Sequence, residues 1–360
     1  MRILIATNSY PTKKNPTHQI FVKNIHKGLK QKYDEVGLVY NLYYRWFKSD
    51  LGTGNALSSL LKLLALIWSF LPQFLYKAKS YDVIYSHGEL LPGILIPALQ
   101  KMHGIKHVCY VHGSANDFSK NKGIYFRLTK YVLEKSDFIV TNSNFMQKVI
   151  QSEYGLKSTL ITPGYNAELF HLRENERTID ISFAGSAIWK KGVDLILKAQ
   201  HSNKSFYIQN NLKIHLYTDG ALKNRLLNTI HTQNLSDIMI IHERITDDEL
   251  AALFSKSKIV LFPSREEPLG LIGIEAIASG CIVIAANTGG IKEYIIDGEN
   301  GFLFEPDNVA ELQEKIEYVF NNYSSIKEKF KHSHKTVEAY SIKSGIDQTT
   351  DFLNSISADR

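Results

Sequence analysis

Short apolar strands alternate with helices twice along this chain, and that pattern constrains its fold more than any other feature of the sequence. In the first round Ile3–Ala6, Glu35–Tyr40, Val83–Ser86, His107–Val111, Phe138–Thr141 and Thr159–Ile161 read as strands. Ile20–Lys30, Leu57–Tyr76, Leu91–Lys101, Lys122–Glu134 and Asn144–Tyr154 read as the helices between them. Around residues 162–178 the pattern lapses into a polar, turn-rich stretch. It then restarts, with strands at Ile179–Phe183, Lys213–Tyr217, Asp237–Ile241, Lys258–Phe262, Cys281–Ala285 and Gly301–Phe304. The second set of helices is Lys191–Ala199, Leu222–Thr232, Asp247–Ser255, Leu271–Ala278 and Gly290–Ile296. Strands joined through helices pair in parallel, with both faces of the sheet covered. The chain of 360 residues is too long for one ordinary core, so two doubly wound α/β domains are expected, facing each other across a cleft. We place them at residues 1–166 and 167–338, with a last helix in 339–360 crossing back to the first domain.

Ligands of parallel sheets sit at the carboxyl ends of the strands. The corner at Lys258–Glu275 has the most chemistry there. Its strand stops at Pro263-Ser264, and a charged loop, Arg265-Glu266-Glu267, runs through Pro268 and Gly270 into a helix starting near Leu271. Free N–H groups at a helix start attract anions. Glu267 before the helix and Glu275 one turn into it are acidic neighbours for an anion. Both fit one ligand class, a molecule carrying hydroxyls as well as phosphates, which describes a nucleotide-sugar. Nearby loops add Gly185, Ser186, Lys190 and Lys191, where a lysine would neutralise a diphosphate, and the turns His242–Ile245 and Ala286–Ile291. In the first half the long polar loop from Asn8 to Ile20, the segment beginning Ser86-His87-Gly88, and the segment Val111-His112-Gly113 occupy equivalent ends.

Charge divides the chain. Residues 1–160 carry +12 and residues 161–360 carry −6, so only the first half suits a polyanionic surface. No nucleic-acid motif accompanies that charge, which leaves anionic lipid as the partner it favours. In Leu57–Tyr76, Lys62, Ser69 and Pro72 break the apolar run, so it is a poor membrane span. It reads either as a core-facing helix or as one lying on a bilayer with Trp68, Phe70 and Phe74 at the interface. Cys109 and Cys281 are lone, buried-type cysteines without a metal-ligand or redox partner, and the N-terminus reads as a strand instead of a signal peptide. A cytoplasmic protein, peripheral at the inner face of a membrane, is the expectation.

The run from Glu267-Pro268-Leu269-Gly270 to Glu275, with Thr288-Gly289-Gly290 and Asp297-Gly298-Glu299-Asn300-Gly301 after it, resembles the retaining GT-B glycosyltransferases of family 4. Two glutamates separated by seven residues are the family's mark, and Glu267 and Glu275 have that spacing. Lys191-Gly192, Pro163-Gly164-Tyr165-Asn166, Thr141-Asn142-Ser143, His112-Gly113 and Ser9-Tyr10-Pro11 extend the likeness over nearly the whole chain.

The resemblance implies a GT-B fold of two Rossmann-like domains and a hexosyl transfer from a nucleotide-sugar, UDP-linked before GDP-linked. It implies that Leu269, Gly270 and Leu271 meet the diphosphate or sugar, Lys191 the departing phosphate, Glu267 the sugar hydroxyls and Glu275 the ribose. Arg244 and Ile245 would meet the base, and Gly185, Ser186 and Lys190 would complete the donor side. His112 would stand by the sugar, with Gln19, His87 and Gly113 toward the acceptor. His112, Glu267 and Lys191 are then the catalytic candidates. Retention by front-face attack needs no enzyme nucleophile, and the absence of a D-x-D motif fits transfer without metal or cofactor.

Two positions depart from the family pattern. Ser186 stands where an arginine is common, and Gln19 where a glycine is common. The acceptor expected is a glycan or lipid-linked glycan of bacterial-type surface polysaccharide or glycolipid synthesis. A nucleotide-sugar 2-epimerase and a non-catalytic glycan- or lipid-binding relic of the fold are the competing readings.

Overall fold

The computed structural model describes residues 1–12, 19–41, 68–88, 90, 92–120 and 122–358. The chain forms two compact units, Met1–Gly164 with Ile342–Arg360, and Tyr165–Ser341.

The first unit holds β1 (Ile3–Thr7), β2 (Val36–Tyr40), β3 (Val83–His87), β4 (Lys106–Val111), β5 (Phe138–Thr141) and β6 (Thr159–Leu160). Every pairing is parallel, in the order β2-β1-β3-β4-β5-β6. Around the sheet lie α1 (Ile20–Lys32), α2 (Ile96–His103), α3 (Ser114–Ser119), α4 (Ile124–Lys135) and α5 (Asn144–Val149). Both faces are apolar because both are covered: Ile3, Ile5 and Val108 belong to one core cluster, Leu4, Ala6 and Ile84 to another.

The second unit repeats the plan with β7 (Ile179–Ala184), β8 (Ile214–Tyr217), β9 (Met239–His242), β10 (Ser257–Phe262), β11 (Ile282–Ala286) and β12 (Phe302–Phe304). The order is β12-β11-β10-β7-β8-β9, again parallel throughout. Its helices are α6 (Val193–Ser202), α7 (Lys204–Gln209), α8 (Lys223–Thr232), α9 (Asp247–Lys256), α10 (Leu271–Ala278), α11 (Val309–Asn321) and α12 (Tyr323–Lys329). The last helix, α13 (Ile342–Ala358), packs against α1 in the first unit.

Several elements differ from the sequence expectation. Residues 189–191 form a 3-10 turn, and α6 starts only at Val193, after the left-handed Gly192. The helix expected from Asn144 changes at Ile150 into a π-helical segment ending at Tyr154. The helix expected at Gly290–Ile296 is a single 3-10 turn, Ile291–Glu293.

Of the expected helix Leu57–Tyr76, residues 57–67 lie outside the described residues, and residues 68–77 are helical. Phe70 and Phe74 are fully buried against Leu4, Ile84 and Ile96, so neither lies at an interface as the surface reading supposed. Trp68 faces outward. Among the described residues no helix is long and apolar enough to cross a membrane.

The two sides of this helix should respond unequally to mutation. Phe74→Ala is expected to cost about 3–5 kcal/mol in urea unfolding, because it opens a cavity in the core. Leu75→Ala, on the exposed side, is expected to stay within about 0.5 kcal/mol. Equal responses would show that the helix does not pack this way.

Candidate functional site

Parallel pairing puts the ends of β7 to β11 at one edge of the second sheet, and the expected donor-side residues gather there. Gly270 caps α10 in the left-handed region, at φ 90°. The N–H of Gly273 bonds the Gly270 carbonyl at 3.0 Å. The N–H groups of Leu271 and Ile272 have no backbone partner among the described residues, so the helix start presents donors.

Glu267, 9% exposed, accepts from Lys191 Nζ at 2.5 Å and from Ser264 Oγ at 3.4 Å, both through Oε2. One position earlier on each strand-end segment, Lys190 Nζ lies 3.3 Å from Glu266 Oε2. Two consecutive lysines therefore face two consecutive glutamates.

The loop that carries Glu267 is held by its backbone. The carbonyl of Glu267 accepts from Gly290 N at 3.0 Å, and Thr288 Oγ1 donates to the Arg265 carbonyl at 3.1 Å. A side chain at Gly289 would come within 1.9 Å of the Glu267 carbonyl oxygen, and one at Gly290 within 2.3 Å of that of Pro268. The Gly-Gly turn is required by this close approach. On the other side Arg265 N donates to the Lys190 carbonyl at 2.8 Å. Tyr294 OH donates to the Gly270 carbonyl at 2.8 Å, which fixes the cap from below.

Sequence reasoning assigned Arg265 no role, yet it is the hub of this edge. Its guanidinium is 5% exposed. It donates to both Asp194 oxygens at 2.7 and 2.8 Å, to Asp307 Oδ1 at 2.6 Å and to the Trp189 carbonyl at 2.7 Å. It also lies over the Trp189 ring, 5.0 Å from the centroid. The segment bearing Lys190 and Lys191 is thereby tied to the loop bearing Glu266 and Glu267. Burial opposes ionisation of Asp194, but the bonds from Arg265 and Lys198 outweigh it and hold its carboxyl below the ordinary value.

Glu275 lies on the first turns of α10, half-buried, with no hydrogen bond to its carboxyl among the described residues. Burial, helped by the Asp247 carboxylate, pushes its pKa up to about 8. Gly185 closes the turn after β7, its N–H on the Tyr217 carbonyl and its own carbonyl receiving Thr218 Oγ1. Ser186 follows, half-buried. Leu269 is buried, Leu271 opens α10, Ile245 packs on the core beneath the corner, and Arg244 is exposed in the loop after β9. Beside that loop Tyr217 and His242 stack with centroids 4.3 Å apart, and His242 Nε2 meets His215 Nδ1 at 2.9 Å. This aromatic stack was also missed from sequence.

In the first unit the structure brings His87 and His112 together. They end β3 and follow β4, with His87 Nδ1 3.0 Å from His112 Nε2. Phe21 from α1 packs 4.6 Å from the His112 ring, and Asn142 Nδ2 donates to the His112 carbonyl at 3.0 Å. Burial lowers His112 to about 3 and His87 well below the ordinary histidine value, so both rings are neutral at pH 7. Gly113 follows His112 and leads into α3. Gln19 caps α1 at φ 42°, where a non-glycine residue carries strain, and its Oε1 accepts from Thr7 Oγ1 at 2.8 Å. Among the described residues no three His, Cys, Asp or Glu side chains gather as a metal-binding group.

A family model described as glycosyl transferases group 1 matches residues 165–338, and one described as glycosyltransferase family 4 matches residues 19–169. An uncharacterised glycosyltransferase of Methanocaldococcus jannaschii is 32% identical over 248 residues, which are 68% of this chain and 67% of that protein. The structure of Anabaena HepE in complex with UDP superposes with a TM-score of 0.76 at 17% identity, over 99% of this chain and 100% of that one. Sucrose-phosphate synthase of Thermosynechococcus elongatus superposes with a TM-score of 0.80 at 17% identity, over 100% of both chains. The fold is GT-B, with two Rossmann-like domains.

Arg265→Ala should destabilise the chain by about 2–3 kcal/mol at pH 7, since it removes a buried guanidinium that bonds Asp194, Asp307 and the Trp189 carbonyl at once. The lowered pKa of Asp194 sets the sign with pH: its contribution is present above the ordinary carboxylate range and lost as pH falls through its folded value. The gap between wild type and variant in chemical denaturation should therefore narrow as pH falls below the ordinary carboxylate range. A gap that widens on acidification would contradict the network.

Proposed function

The chain belongs to the group 1 glycosyltransferases, and from that membership we propose that it transfers a hexose-type sugar from a nucleotide-sugar to a glycan or lipid-linked glycan, with retention at the anomeric carbon and without a metal ion. UDP is the favoured nucleotide, on the strength of the UDP-bound Anabaena structure. The acceptor belongs to surface polysaccharide or glycolipid synthesis, presented at the inner face of a membrane.

The observation that carries this reading is the Lys191–Glu267 pair, 2.5 Å apart beside the start of α10. A cation, helix N–H donors and a carboxylate in one corner suit a sugar attached to a phosphate. Lys191 neutralises the departing diphosphate, assisted by Lys190 and the N–H groups of Leu271 and Ile272. Glu267, released from Lys191 when phosphate takes its place, accepts from sugar hydroxyls and fixes the anomeric carbon. Glu275 accepts from the ribose hydroxyls. The backbone at Arg244 and Ile245 faces the base, with Gly185, Ser186 and Leu269 lining the donor. His112, neutral and positioned by His87 and Asn142, serves the acceptor side with Gln19 and Gly113.

In front-face transfer the leaving phosphate oxygen takes the acceptor proton as the glycosidic bond to phosphate breaks and the new one forms. Stabilising that oxygen is then the protein's main task, and Lys191 with the helix start supplies it. Neither glutamate has to act as nucleophile, so the spacing rule for hydrolase carboxylates does not apply.

Four measurements check this reading. A panel of nucleotide-sugars in thermal shift should single out UDP-sugars, and NMR of the product should show the donor's anomeric configuration; an inverted product would refute retention. Donor incubated alone should yield no epimer, and binding of nucleoside diphosphate should be measurable, which separates transferase from epimerase and relic.

The protonation of Glu275 gives a sharper test. At about 8 its folded pKa lies far above the ordinary value of about 4.3, so the unliganded carboxyl is mostly protonated at pH 7. That protonation favours the fold below the ordinary carboxylate pKa and the benefit is lost as pH rises through about 8. A ribose donating to the carboxylate must expel the proton. Isothermal titration of UDP at pH 7 in buffers of different ionisation enthalpy should show release of up to about one proton, absent in Glu275→Gln. Glu275→Ala should weaken UDP itself, whereas Glu267→Ala should mainly reduce turnover. Unchanged UDP affinity in Glu275→Ala would remove the ribose assignment.

A further inference from the structure

We propose that the outward face of the helix at residues 68–77 is a docking surface for an anionic lipid bilayer. The inference rests on the reading of a membrane-borne acceptor and names the surface that meets that membrane.

The helix has two apolar sides. Phe70, Phe74 and Ala78, four residues apart, are 0% exposed and fill the core of the first unit. Trp68, Leu71, Leu75 and Tyr76 form the opposite stripe, with 79%, 40%, 52% and 78% of their surface in solvent, and exposed Pro72 lies among them. A surface helix ordinarily carries polar residues there. A tryptophan at one end and a tyrosine at the other, with leucines between, is the composition that settles at the boundary of headgroups and acyl chains.

Charge selects the partner. No acidic residue occurs between Trp68 and Tyr81. Lys79 continues the outward stripe and is exposed. The turn at residues 78–80 packs against α2, whose exposed end adds Lys101, Met102 and His103. Lys77 is not part of this set, because its ammonium donates to the Leu38 carbonyl at 3.0 Å. Residues 1–160 carry +12, so the half of the chain that bears the apolar stripe is also the basic half. Apolar side chains rimmed by cations on a basic unit are complementary to anionic headgroups over hydrocarbon, each cation adding attraction that salt screens.

The test uses the full-length chain and vesicles without donor or acceptor. Wild type should co-float with phosphatidylglycerol-containing vesicles, more weakly with pure phosphatidylcholine, and lose the difference at about 1 M salt. Leu71→Ser with Leu75→Ser should weaken partitioning at least about tenfold, since two apolar side chains no longer leave water. Lys79→Glu should weaken it on anionic vesicles alone. The substituted side chains are exposed, so thermal unfolding and transfer to a water-soluble glycan should be unchanged in these variants.

Failure of wild type to float, or equal flotation of the double serine variant, would overturn the proposal. So would a dimer in sedimentation that the double variant dissolves, which would make the stripe an interface between copies. A chain that docks but never glycosylates a lipid-linked acceptor would refute the acceptor reading and leave the docking surface standing. One that glycosylates a detergent-dispersed lipid acceptor without docking would do the reverse.

Discussion

Parallel pairing is the constraint on which the rest of this molecule depends. A parallel strand cannot return through a tight turn, so each crossover must pass over a face of the sheet. Both faces are then covered, and the strands become apolar on both sides, as Ile3–Ala6 and Ile282–Ala286 are. The same rule sends every strand's carboxyl end to one edge. Loops after β7, β8, β9, β10 and β11 thus meet although up to a hundred residues separate them, and the charged groups of the chain's chemistry collect where the sheet stops.

Close backbone contact then turns that edge into a rigid corner. A side chain at Gly192 would strike the Pro263 carbonyl oxygen at 1.9 Å, and one at Gly289 would strike that of Glu267 at 1.9 Å. Three loops are seated on one another through main-chain atoms, which is why glycines recur at their ends. Arg265 adds the side-chain bond among them, reaching Asp194, Asp307 and the Trp189 carbonyl at once. The positions of Lys191 and Glu267 are therefore properties of the whole corner.

The alternation of apolar runs made both sheets legible, because buried parallel strands and their helices leave strong local patterns. Short elements escaped: Ser114–Ser119 and Lys204–Gln209 are six residues each, too brief to show a helical period. Lys191 was expected inside a helix and stands before one, since the left-handed Gly192 intervenes. Glu267, Glu275 and His112 could be placed from strand ends and family likeness. Arg265 could not, because its carboxylate partners lie 42 and 71 residues away and only the folded chain brings them near. The Asp297–Gly301 run, read as a family mark, also holds its turn together: Asn300 bridges Tyr294 O and Ile296 N, and Asp297 accepts from Leu303 N. Gln19 sits in the backbone region that favours glycine, the residue the family commonly has there.

The same corner bears on the arginine missing at Ser186. Arg265 is close enough in sequence to suggest a substitute, but its guanidinium is 5% exposed and committed to two carboxylates and a carbonyl. Turning it toward a phosphate would break its bonds to Asp194, Asp307 and the Trp189 carbonyl together. Among the described residues of this corner the cations beside the start of α10 are Lys190 and Lys191, and each rests on a glutamate, at 3.3 and 2.5 Å. On the proposed reading a phosphate must displace those carboxylates, and this cost is offset only where the freed Glu267 finds sugar hydroxyls. Bare diphosphate receives the lysines but leaves that carboxylate with the Ser264 hydroxyl alone, whereas a complete nucleotide-sugar satisfies both. On that reading the exchange of partners makes the corner favour an intact donor over its leaving group, because Lys190 and Lys191 are paired to glutamates and Ser186 stands where the family commonly has an arginine.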